Sequence, residues 1–180
     1  MADGTKFALL SRILHWAMAI MVLAMLLIGV GMVSSLSDYH RLVSIHRPLG
    51  AAILVLVAIR LVNRLVNPPP PLPGHMPPWQ RVAAKGSHFV LYALMFALPL
   101  VGWGMLSAAD YPIVLYGSLR LPPILPHDAA LYGVLRRAHT YLAFLLFATF
   151  LAHLGAALLH ALVYRDGVFA SMASWRAGRD

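Results

Sequence analysis

The sequence predicts an all-α fold, a four-transmembrane-helix bundle, on three observations. Of 180 residues, 61% are hydrophobic and only 11% charged, against roughly 45–50% and about 25% in water-soluble domains. Mean hydropathy is +0.76, which excludes both an ordinary soluble globule and a disordered chain. Four apolar runs each approach the ~20 residues that a helix needs to cross hydrocarbon. The chain has no Cys, so disulfide staples, Cys-ligated iron–sulfur clusters, covalent CxxCH haem attachment and a Cys nucleophile are excluded.

The first run, 13–33, holds no charge. It exceeds the 7–15-residue apolar core of a cleaved leader, the rival reading, and is taken as a span. The second, 49–66, contains only Arg60 and Arg64, near its end. A stiff, non-helical connector, NPPPPLPGHMPP, follows at 67–78. The third run covers 86–106 and the fourth 138–163. Between them lies a longer stretch with Pro112, Pro122, Pro123 and Pro126. No internal repeat and no second domain is visible, so residues 1–180 form one membrane domain.

Basic residues orient the bundle. Lys6, Arg12, Arg60, Arg64, Arg81, Lys85, Arg165, Arg176 and Arg179 fall on one side; Arg41, Arg47, Arg120, Arg136 and Arg137 fall on the other. The positive-inside rule puts the richer side, with both termini, in the cytoplasm. The net charge of +8 therefore answers to lipid and anionic ligands at the membrane faces, not to nucleic acid.

Nine histidines occur, and an ionisable residue inside a span is a functional candidate by default. His40, His75 and His127 fall in loops. His139 and His153 share span four, fourteen residues apart. That is nearly four helical turns, so they lie on one stripe and roughly 21 Å apart along the axis. Span two starts outside, which brings His46 to the depth of His139. Span one starts inside, which brings His15 to the depth of His153. Two His–His pairs are thus stacked across the bilayer, and bis-imidazole ligation between facing helices is how a bundle holds b haem.

The same interval places Gly29 beyond His15 at the outer level, where a missing side chain admits a porphyrin. It also places Arg60 beyond His46 at the inner level, with Arg64 one turn further; there an Arg can pair with a haem propionate. Three alternatives stand beside this reading. Intramembrane His can be interhelical hydrogen-bonding contacts. A zinc or copper site would need ligands converging at one depth, and these converge at two. His88, at the cytoplasmic start of span three, can replace either inner ligand. His160 is read as interfacial and solvated.

Taken together, the motifs resemble the prokaryotic cytochrome b561 family, and more narrowly its small bacterial superoxide oxidases. The resemblance covers nearly the whole chain. It rests on IxHW near the N-terminus, IHxxxG opening span two, RLxxRL before the Pro-rich linker, HFVLYALMFALPLVG in span three and His-x13-His in span four. It implies a bacterial inner-membrane protein with two b haems on His15, His46, His139 and His153, and electron exchange with ubiquinone. The implied donor is superoxide, oxidised to dioxygen at the periplasmic face. The alternative is a non-catalytic haem electron-transfer subunit between quinone and a periplasmic redox protein.

Arg41, Arg47, Arg136 and Arg137 lie outside, against the usual bias, and are read as an anion funnel beside the outer haem. The competing reading gives them to haem propionates or lipid phosphates. Trp16, Trp79, Trp103 and Tyr111 are open to two readings, a quinone pocket or interfacial belts. The family often has an Arg-Met pair near the tail; here Ser171-Met172 stands instead, and no partner site is expected there.

Overall fold

A computed structural model describes residues 6–174. Four long helices run along one another: α1 (Leu9–Ser34), α2 (Tyr39–Val66), α3 (Pro78–Ala108) and α4 (Ala129–Leu159). All four are long and apolar enough to cross a membrane. A short hairpin, β1 (Ile113–Tyr116) and β2 (Leu119–Leu121), joins α3 to α4. At the other end α4 continues as a π-helical turn (His160–Tyr164) and then α5 (Val168–Ala173). The bundle thus has a hairpin end and, opposite it, a terminal end where the first and last described residues lie.

Hydropathy finds what must lie in hydrocarbon, but the helices run further. α2 begins ten residues before the expected span, α3 eight and α4 nine. At 1.5 Å per residue, 31-residue helices reach about 46 Å, well past a ~30 Å hydrocarbon core. The extensions have local causes. Asp128 caps α4, its carboxylate accepting from Ala130 N at 2.8 Å and Leu131 N at 3.0 Å. Pro78 takes the first turn of α3, where its missing N–H costs nothing. Consequently His46, His88 and His139 sit inside helices rather than at their starts, and His40, expected in a loop, is an exposed residue of α2. Pro48 and Pro99 lie within α2 and α3.

α1 packs along α2 and α3 along α4, while α2 and α3 join these pairs less extensively. The core is Met18 and Val22 of α1, Ile53 and Val57 of α2, Leu94, Met95 and Leu98 of α3, and Leu146 of α4. Leu146 stands midway between His139 and His153, so the apolar core separates two histidine levels. The exposed Ile20, Leu27, Val55, Val62, Phe144 and Leu151 face outward, as lipid-facing surfaces of a span do.

The connector after α3, for all its prolines, contains a hairpin. β1 and β2 pair antiparallel around Gly117, which turns with φ 53°. Ile113 is buried, and β1 lies against α2. Trp103 Nε1 donates to Pro122 O at 2.8 Å, and Ile124 N donates to Ser107 Oγ at 3.1 Å. These bonds fasten the hairpin over its end of the bundle. At the terminal end, α5 is tied to the start of α1: Phe7 N donates to Ser171 O at 3.2 Å, Trp16 Nε1 to Met172 O at 3.3 Å, and Arg12 Nη1 to Ser174 O. The Ser171-Met172 departure therefore serves through its backbone carbonyls.

Candidate haem-binding sites

At the hairpin end, His46 of α2 and His139 of α4 face each other with ring centroids 6.1 Å apart and planes at 61°. At the terminal end, His15 of α1 and His153 of α4 stand 6.3 Å apart at 63°. Both pairings follow the depth matching expected from the sequence. Two imidazoles in line on opposite sides of one metal ion, with bonds of about 2.0 Å and ~1.1 Å from ring nitrogen to centroid, have centroids about 6.2 Å apart. Among the described residues no group of three or more His, Cys, Asp or Glu converges on a metal site, so a closed tetrahedral centre is absent there. What the chain offers is two opposed pairs.

The hairpin level fits a flat, bis-imidazole-ligated group. His46 Nδ1 and His139 Nδ1 are buried without hydrogen-bond partners, an expensive state for polar atoms unless something else uses the rings. A Cβ at Gly29 would meet nothing within 4 Å, as expected of a glycine that leaves space. The backbones of α2 and α4 make few close approaches, so their rings meet across a gap.

The terminal level is more crowded and more polar. His88 joins the pair, 5.3 Å from His153; this is shorter than the separation of two imidazoles in line on opposite sides of one ion, which the His15 spacing matches. Arg60 Nη2 donates to His15 Nδ1 at 2.8 Å and Arg60 Nε to Tyr92 Oη at 2.9 Å. Arg64 lies over the Tyr92 ring, 5.9 Å from its centroid. Beside them Asn67 Nδ2 donates to Asn63 Oδ1 at 3.0 Å, and Asn63 Nδ2 to Ser11 Oγ at 2.7 Å. A cavity of about 20 Å³, lined in part by Ser11, Arg60, Asn63, Arg64 and Tyr92, has room for one water with ample partners.

The arginines expected outside do gather at the hairpin end. Arg41, Arg120, Arg136 and Arg137 are exposed. Arg47 is half-buried and donates to Pro112 O at 3.5 Å. Arg136 and Arg137 line an open groove of about 420 Å³ with Tyr132, Gly133, Thr140 and Tyr141, on the turns of α4 flanking His139.

One expectation is corrected. His160 is not solvated: its Nδ1 lies 2.6 Å from Asp166 Oδ2, both side chains largely buried, because the π-turn folds the chain back on itself. Of the two readings left open for the aromatic residues, the structure places Trp16 and Trp79 at the terminal end and Trp103 and Tyr111 at the hairpin end, the arrangement of interfacial belts. Two residues went unread in the sequence. Tyr92 follows His88 by four, on the same helical face. Gly102 follows His88 by fourteen, the interval that links His15 to Gly29 and His46 to Arg60. That shared interval was the available signal.

A four-helix membrane bundle with opposed histidine pairs at two depths defines the class of bundle cytochromes. The comparison with known proteins narrows it: residues 6–175 match the family model of prokaryotic cytochrome b561, and the chain belongs to that family. Over 171 residues, 93% of this chain and 90% of the relative, it is 30% identical to cytochrome b561 homolog 2 of Escherichia coli (strain K12). Over 138 residues, 74% of this chain and 76% of the relative, it is 31% identical to the probable superoxide oxidase CybB of Yersinia pestis. The chain is therefore a multi-pass membrane protein of electron transfer, in a family that carries b-type haem.

Proposed function

We propose that the chain carries two b haems, one on His46 and His139 and one on His15 and His153, and passes electrons from superoxide to ubiquinone. The observation that carries this reading is the repetition of one ligand spacing, 6.1 and 6.3 Å, at both levels of a single bundle. When bound, a b haem supplies reversible one-electron chemistry at its iron.

The chain's own residues do the rest. Ligation through His15 Nε2 requires the ring proton on Nδ1, which cannot accept from a guanidinium; Arg60 then turns to a carboxylate, for which a propionate is the natural candidate. The core of Met18, Val22, Ile53, Val57 and Leu146 keeps water from the space between the two levels. Arg41, Arg47, Arg136 and Arg137 raise the local concentration of a small anion at the hairpin end. Asp38, Asp110 and Asp128 offset that field only in part. Each superoxide yields one electron and leaves as dioxygen; two electrons and two protons convert ubiquinone to ubiquinol. By the positive-inside rule the hairpin end is periplasmic and both termini are cytoplasmic, in a bacterial inner membrane.

The test combines purified protein, a superoxide source and a soluble ubiquinone analogue. The expected result is a red protein with two haems per chain and quinone reduction beyond what dismutation explains. Two haems without quinone reduction favour a carrier docked to a periplasmic redox protein. A colourless protein overturns the reading.

A further inference from the structure

The third helix supplies no ligand to the hairpin-end pair, yet it touches His139. A Cβ built on Gly102 would lie 3.3 Å from His139 Cε1 and 3.5 Å from its Nδ1. The first distance is tighter than ordinary carbon contacts, so the ring would have to give way. Leu98, one turn earlier on α3, presents its backbone carbonyl to the same ring. No hydrogen bond closes between them, and Nδ1 remains unpartnered. A side chain at position 102 would thus limit how closely the imidazole can back onto α3.

The four helices repeat this arrangement. At the hairpin level, α1 and α3 contribute Gly29 and Gly102, and α2 and α4 contribute His46 and His139. At the terminal level, fourteen residues away, the four positions are His15, Arg60, His88 and His153. The two glycines are not equivalent. Gly29 faces open space, whereas Gly102 faces an imidazole.

Resting on the di-haem reading, we propose that Gly102 is a positioning residue for the hairpin-end haem: its missing side chain lets His139 seat against α3, with Nδ1 toward the Leu98 carbonyl and Nε2 toward His46. Metal-bound histidines are oriented in this way, through the nitrogen that does not bind the metal. A ring held by iron on one side cannot retreat from a methyl group on the other.

Gly102→Ala and Gly102→Val test this on the full chain, with Gly86→Ala as control, since a Cβ at Gly86 meets nothing within 4 Å. For a glycine without such a role, alanine in a helix is stabilising. The expected result is graded. Ala shifts the absorption and electron paramagnetic resonance signature and the potential of one haem only. Val reduces haem content from two per chain toward one, with helix content unchanged by circular dichroism. The lost or altered haem should be the one that His139→Ala removes. Two haems with unaltered spectra in both variants overturn the proposal, and so does loss of both haems or of helix content, which would make Gly102 a general packing residue. A wild-type chain without two haems would instead overturn the di-haem reading.

Discussion

At the scale of single residues, three imidazoles compete for the terminal-end site, and distance decides among them. His15 stands from His153 at the spacing of two ligands in line on opposite sides of one ion, and His88 stands closer than that arrangement allows. His153→Ala is therefore expected to lower haem content from two per chain to one, and His88→Ala to leave two, measured as the pyridine haemochrome per mole of protein. Loss of a haem in the His88 variant would transfer the ligand role to that residue. The buried Ser11–Asn63 bond makes a second, independent prediction. Asn63→Leu removes the donor to Ser11 and should destabilise the bundle by about 1 kcal/mol, seen in thermal unfolding in detergent. The four ligand candidates were legible in the sequence because a fourteen-residue interval fixes the face and depth of His139 and His153 on a straight helix, and the alternating direction of the spans brings His46 and His15 to those depths. The partners of Arg60 were half legible: its depth was read, but its bond to Tyr92 depends on how α3 is rotated against α2, which packing sets and spacing alone does not.

At the scale of elements, the sequence marks hydrocarbon rather than helix. The four spans were found where expected, but the helical extensions toward the hairpin and termini were not, because their residues are polar or mixed and obey caps instead of hydropathy. Asp128 is the clearest case. Its carboxylate satisfies two of the orphan N–H groups that begin α4, ten residues before His139. Asp128→Ala should cost about 1 kcal/mol and Asp128→Asn much less. Amide exchange at Ala130 and Leu131 should quicken in the alanine variant, and unchanged exchange there would remove Asp128 from the helix start. The hairpin was hidden for a different reason. Strands of four and three residues are too short to show a period, and this pair is held by contact with α2 and by the Trp103 and Ser107 bonds. The π-turn escaped likewise, since the His160–Asp166 contact that closes it spans only six residues and carries no pattern.

For the whole molecule, cations gather at the hairpin end as well as at the other, and that has a measurable consequence. Five arginines stand at the hairpin end, four of them exposed. Their summed field acts on an anion before contact, so it alters the rate of encounter more than the strength of binding. Salt screens such a field, with a Debye length of about 8 Å at physiological ionic strength. Arg136→Ala with Arg137→Ala removes the two that line the α4 groove beside His139. Quinone reduction by superoxide should then fall about tenfold at low salt, and the gap to the wild type should narrow as salt is added. Haem content should stay at two, because neither side chain is a ligand. If these arginines instead hold haem propionates, the double variant should change the potential or occupancy of the hairpin-end haem at every salt concentration. The salt dependence of the difference, rather than the difference itself, therefore separates steering from cofactor binding, and a rate untouched by the double substitution would leave superoxide capture to the bundle without an arginine funnel.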